Sequence, residues 1–556
     1  MGAVGLALAS CGDADAESGE TALVDAPPGV HVLSPTDQLV RVSMALRGTR
    51  PSPDELDAVA ADPERIGEIV DGYLESESFG ETIRDLHNEA LLVLVDYPIF
   101  PAGFLPTGPV ADADPYALNR SIMEAPLRLI EHVVMEDRPY SEIVTAEYTL
   151  ANRLVAGVWG LAYDGDGSSW GSTQWTDGRD NAGVLSDSWF FQRHQSTISN
   201  GNRGRANAVS RALLCHDFLS RDIQVDGTVD LADPEVVADA VVRDPNCASC
   251  HQALDPMASF FAGYYPAFVP AFVSYPHGVY FEELSYLYGF NPRPSSYFGS
   301  AGEGLADLGA MIAADPRFTL CAAKRFYAYF HQIELDDVPL EVASRLQQVL
   351  TSSGMSAKAL TKAIVLDDTF HISHVDETAD DPDRVSVFKV RPLQLAQLMR
   401  DLTGFTWQTD LYGAAPFLGV PELMEDSFLG YQVLAGGIDS LFVTHPSHTW
   451  SATASLVLRA LAREAAHHRV ERDFSAPASE RWLLSIDERE TGEAAVREQL
   501  AALHARIHAQ RVEPTSSEVD QSWALFSKAL EHSGSTRRAW KVTLTAMLQD
   551  VRIAFY

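Results

Sequence analysis

A five-residue motif near the middle of the chain, Cys247-Ala248-Ser249-Cys250-His251, constrains the fold more than any other feature of this sequence. C-x-x-C-H is the attachment signature of a c-type haem, and each position has a physical role. The two thiols add to the vinyl groups of the porphyrin, and the histidine that follows binds the iron from the proximal side. The motif therefore predicts one covalent haem c, with Cys247 and Cys250 as tethers and His251 as an iron ligand.

Two other uses of a C-x-x-C pair agree less well with the surrounding sequence. A thioredoxin-like dithiol stands beside a βαβ pattern, whereas a helix-like stretch and Asp244-Pro245-Asn246 precede this pair. A structural zinc site needs a second pair of ligands, and the five cysteines of the chain contain no other C-x-x-C. Haem attachment is therefore the prediction for this segment.

The second axial ligand of the iron has several candidates. Met311 is the first choice because it lies well downstream of His251 and just ahead of an aromatic-rich helix. Met257 follows His251 by only six residues, and His277 and His331 would give ligation by two histidines. A methionine suits electron transfer, whereas an open or weakly held position permits chemistry on small molecules.

The N-terminus predicts export and a lipid anchor. Leu8-Ala9-Ser10-Cys11 is similar to a bacterial lipobox, and the residues before it are small and apolar, as at the end of a signal peptide. No Lys or Arg precedes this short run, so an apolar terminus without a signal role is the alternative. Cys11 is predicted to be the lipidated first residue of an exported protein, periplasmic or anchored to the outer membrane of a Gram-negative bacterium.

Two further cysteines, Cys215 and Cys321, stand in apolar, helix-like contexts. Because c-type haem is attached outside the cytoplasm, where disulfides persist, a bridge between them is one prediction. The other is a pair of buried free thiols that act as small hydrophobic side chains.

The charge of the chain limits its partners. Its formal net charge of −36 at pH 7 argues against nucleic acid and anionic lipid surfaces. The same charge could steer a basic redox partner protein, still unidentified, or could serve solubility alone. No apolar run beyond the N-terminus is long enough to cross a bilayer, so the predicted membrane contact is through the lipid anchor only.

Hydrophobic periodicity predicts a mainly α protein, with helical domains flanking a cytochrome c-like haem domain. Helix-start signals occur at Ser34-Pro35 and at Ser52-Pro53-Asp54-Glu55. The predicted domains are a lipoprotein signal and flexible tether (1–30), an N-terminal helical domain with a long Gly/Asp loop (31–227), the haem domain (228–335) and a C-terminal helical domain (336–556). Aromatic residues near the end of the haem domain are predicted to close the haem crevice; they are Phe326, Tyr327, Tyr329 and Phe330.

Three blocks of sequence resemble exported, cytochrome-like proteins of unknown function that are abundant in planctomycetes and myxobacteria. The first block runs from Glu131 through Asn152 to Asn200-Gly201-Asn202-Arg203, and the third from Asp315-Pro316-Arg317-Phe318 to Phe370. The second, Asp244 to His251 followed by Leu254-Asp255-Pro256, is similar to the family's haem motif and its "Met-Asp-Pro" segment. Leu254 stands where the family usually has Met, which keeps the nearby Met257 as a ligand candidate. The resemblance covers residues 120–375 and implies haem and export, but no particular reaction.

These observations favour an exported monohaem c-type cytochrome that carries out one-electron transfer, with no residue assigned a catalytic role. The amount of chain around a single haem is unusual for a simple electron shuttle and leaves two rivals. One is a haem enzyme that acts on peroxide, oxygen or a surface-bound substrate. The other is a surface structural or binding protein in which the haem is incidental. In the favoured interpretation, the flanking helical regions are predicted to dock partners or a larger extracytoplasmic assembly.

Overall fold

Helices build most of this protein, which confirms the predicted mainly α class. The computed structural model describes residues 29–95, 107–167, 169–220, 229–230, 232–264, 275–283, 293–376, 387–409, 422–426 and 429–556. Cys11 and most of the predicted tether lie outside these residues. Within the described ranges, no helix combines the length and the apolar character needed to cross a bilayer.

The first half of the fold is a succession of short and medium helices. They are α1 (Pro35–Arg47), α2 (Pro53–Ala61), α3 (Ile66–Leu74), α4 (Glu77–Leu91), α5 (Pro115–Met135), α6 (Glu142–Thr145), α7 (Arg153–Trp159), α8 (Ser188–Arg193), α9 (Arg203–Leu214), α10 (Pro234–Arg243) and α11 (Pro245–Ser259).

The second half continues in the same way. Its helices are α12 (Leu305–Ala314), α13 (Pro316–His331), α14 (Leu340–Ser352), α15 (Ala357–Val365), α16 (Pro392–Thr403), α17 (Tyr431–Leu434), α18 (Ala452–Ser475), α19 (Glu493–His508), α20 (Ser517–Ser533), α21 (Thr536–Met547) and α22 (Val551–Ala554).

The predicted helix starts are present. The Ser34 side chain accepts a hydrogen bond from the backbone N–H of Asp37 at 3.3 Å and caps α1. At the start of α2, Ser52 accepts from the N–H of Glu55, and the Glu55 carboxylate accepts from the N–H of Ser52. This reciprocal pair is a capping box, and it satisfies two backbone donors that the first helical turn leaves without partners.

Among the described residues, the strands are short and pair in three antiparallel two-stranded sheets. The first pairs β1 (Val30–Val32) with β6 (Ile372–Val375), and so joins the beginning of the described chain to a segment far along it. The other pairs are β2 (Thr149–Ala151) with β3 (Gly171–Thr173), and β4 (Ser296–Tyr297) with β5 (Ser300–Ala301).

In the part of the chain that the structure describes, the buried apolar side chains form two cores. The first core takes its buried residues from positions between Leu39 and Phe388. The second core takes them from Val390 to Ala554, with Met44 of α1 in addition. The predicted haem segment 228–335 contributes to the first core together with the helices on both sides of it, because α11 packs against α9 and α13 packs against α14.

The structure joins Cys215 and Cys321 in a disulfide, with their Cα atoms 5.3 Å apart. Cys215 directly follows α9 and Cys321 lies inside α13. The bridge therefore connects the helix that leads toward the C-x-x-C-H segment to the long helix that follows it.

Candidate haem-attachment site

The C-x-x-C-H motif lies inside helix α11 rather than in a loop. Asp244 begins this helix: its carboxylate accepts hydrogen bonds from the N–H groups of Asn246 and Cys247 at 3.0 and 3.1 Å. Pro245 occupies the first helical position, where its missing N–H costs nothing. The sequence thus fixes the start of the helix two residues before the first cysteine.

Helical spacing places the three donor side chains of the motif together. Cys250 and His251 follow Cys247 by three and four residues, so all three lie on the same face of α11. Both cysteines are free thiols, and all three side chains are half-buried. One accessible stripe of the helix therefore presents two thiols and an imidazole.

The thiol of Cys247 is not activated as a nucleophile. Partial burial, together with a hydrogen bond to the Asp244 carboxylate, raises the pKa of this thiol above its ordinary value. A C-x-x-C pair that works in disulfide exchange has a lowered pKa at its first cysteine. The environment of Cys247 therefore disfavours the redox-dithiol alternative.

The ring of His251 is held by a carboxylate on the same helix. Its Nδ1 atom lies 2.8 Å from Oδ1 of Asp255, one turn further along. Asp255 is 5% exposed and accepts two hydrogen bonds from the Arg203 guanidinium, at 2.6 and 3.1 Å. The guanidinium of Arg293 lies 3.7 Å from the other carboxylate oxygen and donates to the His251 carbonyl at 3.5 Å.

These contacts keep Asp255 ionised. Burial alone would raise the pKa of its carboxyl group, but the hydrogen bonds from His251 and Arg203 outweigh burial and lower the pKa to about 2. An ionised carboxylate can only accept hydrogen bonds, so the ring nitrogen that faces Asp255, Nδ1, is the one that carries a proton. The other ring nitrogen, Nε2, then has the lone pair that can bind a metal. The arrangement suits an iron ligand that binds through Nε2.

The donor set fits a c-type haem on chemical grounds. Two free thiols at the required spacing stand beside an imidazole whose remaining nitrogen could bind a metal. Among the described residues, Asp255 and Arg293 are the hydrogen-bond partners of His251, and both leave Nε2 available.

The structure shows the surroundings of the two methionines predicted as axial ligands. Met257 is 1% exposed and belongs to the first core; six residues of helix turn it about 120° away from His251. Cε of Met311 and Cε1 of Phe260 both lie close to Gly302, at 2.9 and 3.1 Å from the position that a β-carbon on this glycine would take. Met311 therefore lies beside Gly302, as does Phe260, the residue that follows α11.

The two alternative histidine ligands are also placed by the structure. His331 ends α13, and its ring stacks on Tyr327 with the ring centroids 3.8 Å apart and meets Phe370 edge-on. The ring of His277 lies near Trp159, with a centroid distance of 6.2 Å, and its buried Nε2 has no hydrogen-bond partner among the described residues. Burial lowers the pKa of His277, so this imidazole is a neutral potential ligand.

Two of the aromatic residues of α13 that were predicted to close a haem crevice contact residues outside α11. Phe326 packs edge-on against His87 and Tyr140, and the hydroxyl of Tyr329 donates to Asp85 at 2.8 Å. Asp85 and His87 belong to α4, and Tyr140 follows α5. These contacts make α13 a central helix of the first core. A row of aromatic residues on a core helix has the same sequence pattern as a row that lines a haem crevice.

Three residues of the site were not singled out for it from the sequence: Arg203, Asp255 and Arg293. Asp255 carried a usable signal, because an acid four residues after a histidine on a helix shares its face. Arg203 and Arg293 reach the site from other segments, and no local pattern marks them.

The chain was also compared with known proteins. No family model, no curated protein and no solved structure matches it.

Proposed function

We propose that this protein is an exported monohaem c-type cytochrome that carries out one-electron transfer. Cys247 and Cys250 would tether the haem covalently, and His251 would bind the iron through Nε2. The observation that carries the proposal is the single half-buried stripe of α11, on which two free thiols precede an imidazole fixed by a buried carboxylate. The resemblance to exported cytochrome-like proteins points the same way.

The residues around His251 would set its properties as a ligand. A bound haem supplies an iron that takes up and returns one electron. The Asp255 carboxylate accepts a hydrogen bond from the Nδ1–H group of His251 and so makes Nε2 a stronger electron donor, which would favour the more highly charged, oxidised iron. Arg203 and Arg293 offset the charge of Asp255 and hold it in place. The protein would therefore carry a haem of lowered potential.

A haem enzyme acting on peroxide, oxygen or a surface-bound substrate is the second candidate. The observation that favours it is the position of the methionines: Met257 is buried in the core and Met311 lies beside Gly302. If no strong sixth ligand reaches the iron, small molecules could bind there.

An absorption spectrum of the reduced protein, recorded with and without carbon monoxide, separates the two candidates. The protein should be produced with a haem-maturation system, and the Cys247→Ser/Cys250→Ser variant serves as the control without attachment. Sharp low-spin bands that carbon monoxide leaves unmoved support the electron carrier. A high-spin spectrum that shifts with carbon monoxide contradicts that role and supports the enzyme.

We further propose that the protein is anchored in the cell envelope through Cys11. The disulfide between Cys215 and Cys321 supports an oxidising compartment. Incorporation of a labelled fatty acid into the parent chain, and its loss in Cys11→Ala, tests the anchor. Label that persists in Cys11→Ala would contradict it.

A further inference from the structure

The sheet of β1 and β6 gathers a second set of metal-binding side chains. His31 and His374 are directly opposite each other in the antiparallel register. Opposite residues of paired strands project to the same face. Asp376 follows His374 by two residues and therefore shares that face as well. Its backbone N–H donates to the carbonyl of Gly29 at 2.8 Å, which continues the pairing just beyond β6.

The side chains of His31, His374 and Asp376 lie close together. The imidazole rings of His31 and His374 stack with their centroids 4.0 Å apart and their planes within 4°. Nε2 of His31 lies 3.2 Å from Oδ1 of Asp376. One ligand atom from each of the three residues lies within 4.8 Å of the other two. A single ion could contact all three once the two imidazoles rotate out of their parallel stack, because the lone pair of each ring nitrogen lies in the plane of its ring.

The ligand types of these three residues favour one class of metal ion over another. Two imidazoles and one carboxylate form a common ligand set for Zn²⁺, and a fourth position remains for water. Oxygen-seeking Ca²⁺ and Mg²⁺ prefer carboxylates and carbonyls, so two histidines disfavour them. The strongly acidic chain also raises the local concentration of divalent cations.

We propose that His31, His374 and Asp376 form a surface site for a divalent transition metal, with Zn²⁺ as the expected ion. The site is separate from the C-x-x-C-H motif and does not depend on haem. An ion bound here ties β1, which directly precedes α1, to β6, which follows α15. His31 and Asp376 are 345 residues apart in sequence, so the metal would join the beginning of the described chain to a segment far along it.

Calorimetric titration of zinc into the untagged full-length chain tests this site. The parent for the test is Cys247→Ser/Cys250→Ser, because free thiols at the haem motif would bind zinc themselves. In this background the expected result is one zinc ion per chain at micromolar concentration. His31→Ala and His374→Ala should each weaken binding by about tenfold or more.

The matched control is His532→Ala, which removes an exposed histidine on α20 far from the sheet in sequence. It should leave zinc affinity unchanged. As a second readout, zinc should raise the melting temperature of the parent and not that of His374→Ala, because a ligand stabilises only the state that it binds. His374→Gln, which keeps side-chain volume and polarity, replaces the alanine variant if circular dichroism shows that the latter is misfolded. Absent binding in the parent, or equal affinity in the parent and both histidine variants, would overturn the proposal.

Discussion

Nδ1 of His251 lies 2.8 Å from Oδ1 of Asp255, within one turn of the same helix. The contact joins a half-exposed imidazole to a carboxylate that is 5% exposed and held by Arg203. It fixes the orientation of the ring and directs Nε2 away from its partner. The predicted haem ligand is thus positioned by its own helix, with support from two arginines that come from other segments.

Asp255→Asn should raise the reduction potential of the haem-loaded protein. A neutral amide accepts a weaker hydrogen bond from Nδ1–H than a carboxylate does. His251 therefore becomes a weaker electron donor to oxidised iron. We expect a shift on the order of 60 mV, which corresponds to a tenfold change in a one-electron equilibrium. Spectroelectrochemical titration measures the shift. Asp239→Asn, an exposed acid on the neighbouring helix α10, is the charge-matched control; equal shifts in both variants would show that Asp255 acts only through its charge.

Arg203→Ala should destabilise the fold. The substitution removes two hydrogen bonds from a buried carboxylate, and the guanidinium of Arg293 stays 3.7 Å from it. Because Arg203 is itself partly exposed, we expect a loss of about 1–3 kcal/mol in the free energy of unfolding. Urea denaturation measures this value. Arg243→Ala, which removes an exposed arginine, should change stability by less than about 0.5 kcal/mol. Equal losses in both variants would contradict the role of Arg203.

Stability should depend on pH through Asp255. Its pKa falls from 3.8 in an ordinary environment to about 2 in the folded chain. A lowered folded-state pKa gives stability that is complete above the ordinary value and is lost as pH falls toward 2. The difference in unfolding free energy between the parent and Asp255→Asn should therefore shrink by on the order of 1–2 kcal/mol from pH 5 to pH 2.5. A difference that stays constant over this range would contradict the assignment.

Removal of the disulfide should destabilise the first core. The bridge between Cys215 and Cys321 spans 106 residues of sequence, and long closed loops restrict the unfolded chain most. Cys215→Ser/Cys321→Ser should lower the free energy of unfolding by about 2–4 kcal/mol. Chemical denaturation measures the loss, and Cys247→Ser/Cys250→Ser in the haem-free chain is the matched control. No difference between the two double variants would show that the bridge adds nothing to stability.

Local sequence signals predicted much of this structure. The cap at Ser34 and the capping box of Ser52 and Glu55 form as expected, since each depends on residues within one turn. The same locality places Cys247, Cys250 and His251 on one helix face. The partners of Asp255 could not be predicted, because Arg203 and Arg293 approach it only once the chain has folded. The pairing of His31 with His374 depends on a long-range register in the same way.

Buried aromatic residues show where a sequence pattern has two meanings. Phe326 and Tyr329 could have lined a cofactor crevice, but they pack against His87, Tyr140 and Asp85 in the first core. Core packing and cofactor binding both require large apolar side chains at helical spacing. Only the three-dimensional arrangement separates them.

The most direct test of the central claim is the intact mass of the denatured protein after production with a haem-maturation system. We predict a chain that carries the mass of one haem under denaturing conditions, and no such mass in Cys247→Ser/Cys250→Ser. A parent chain without covalent haem, when a known c-type cytochrome matured in the same cells carries it, would contradict the account.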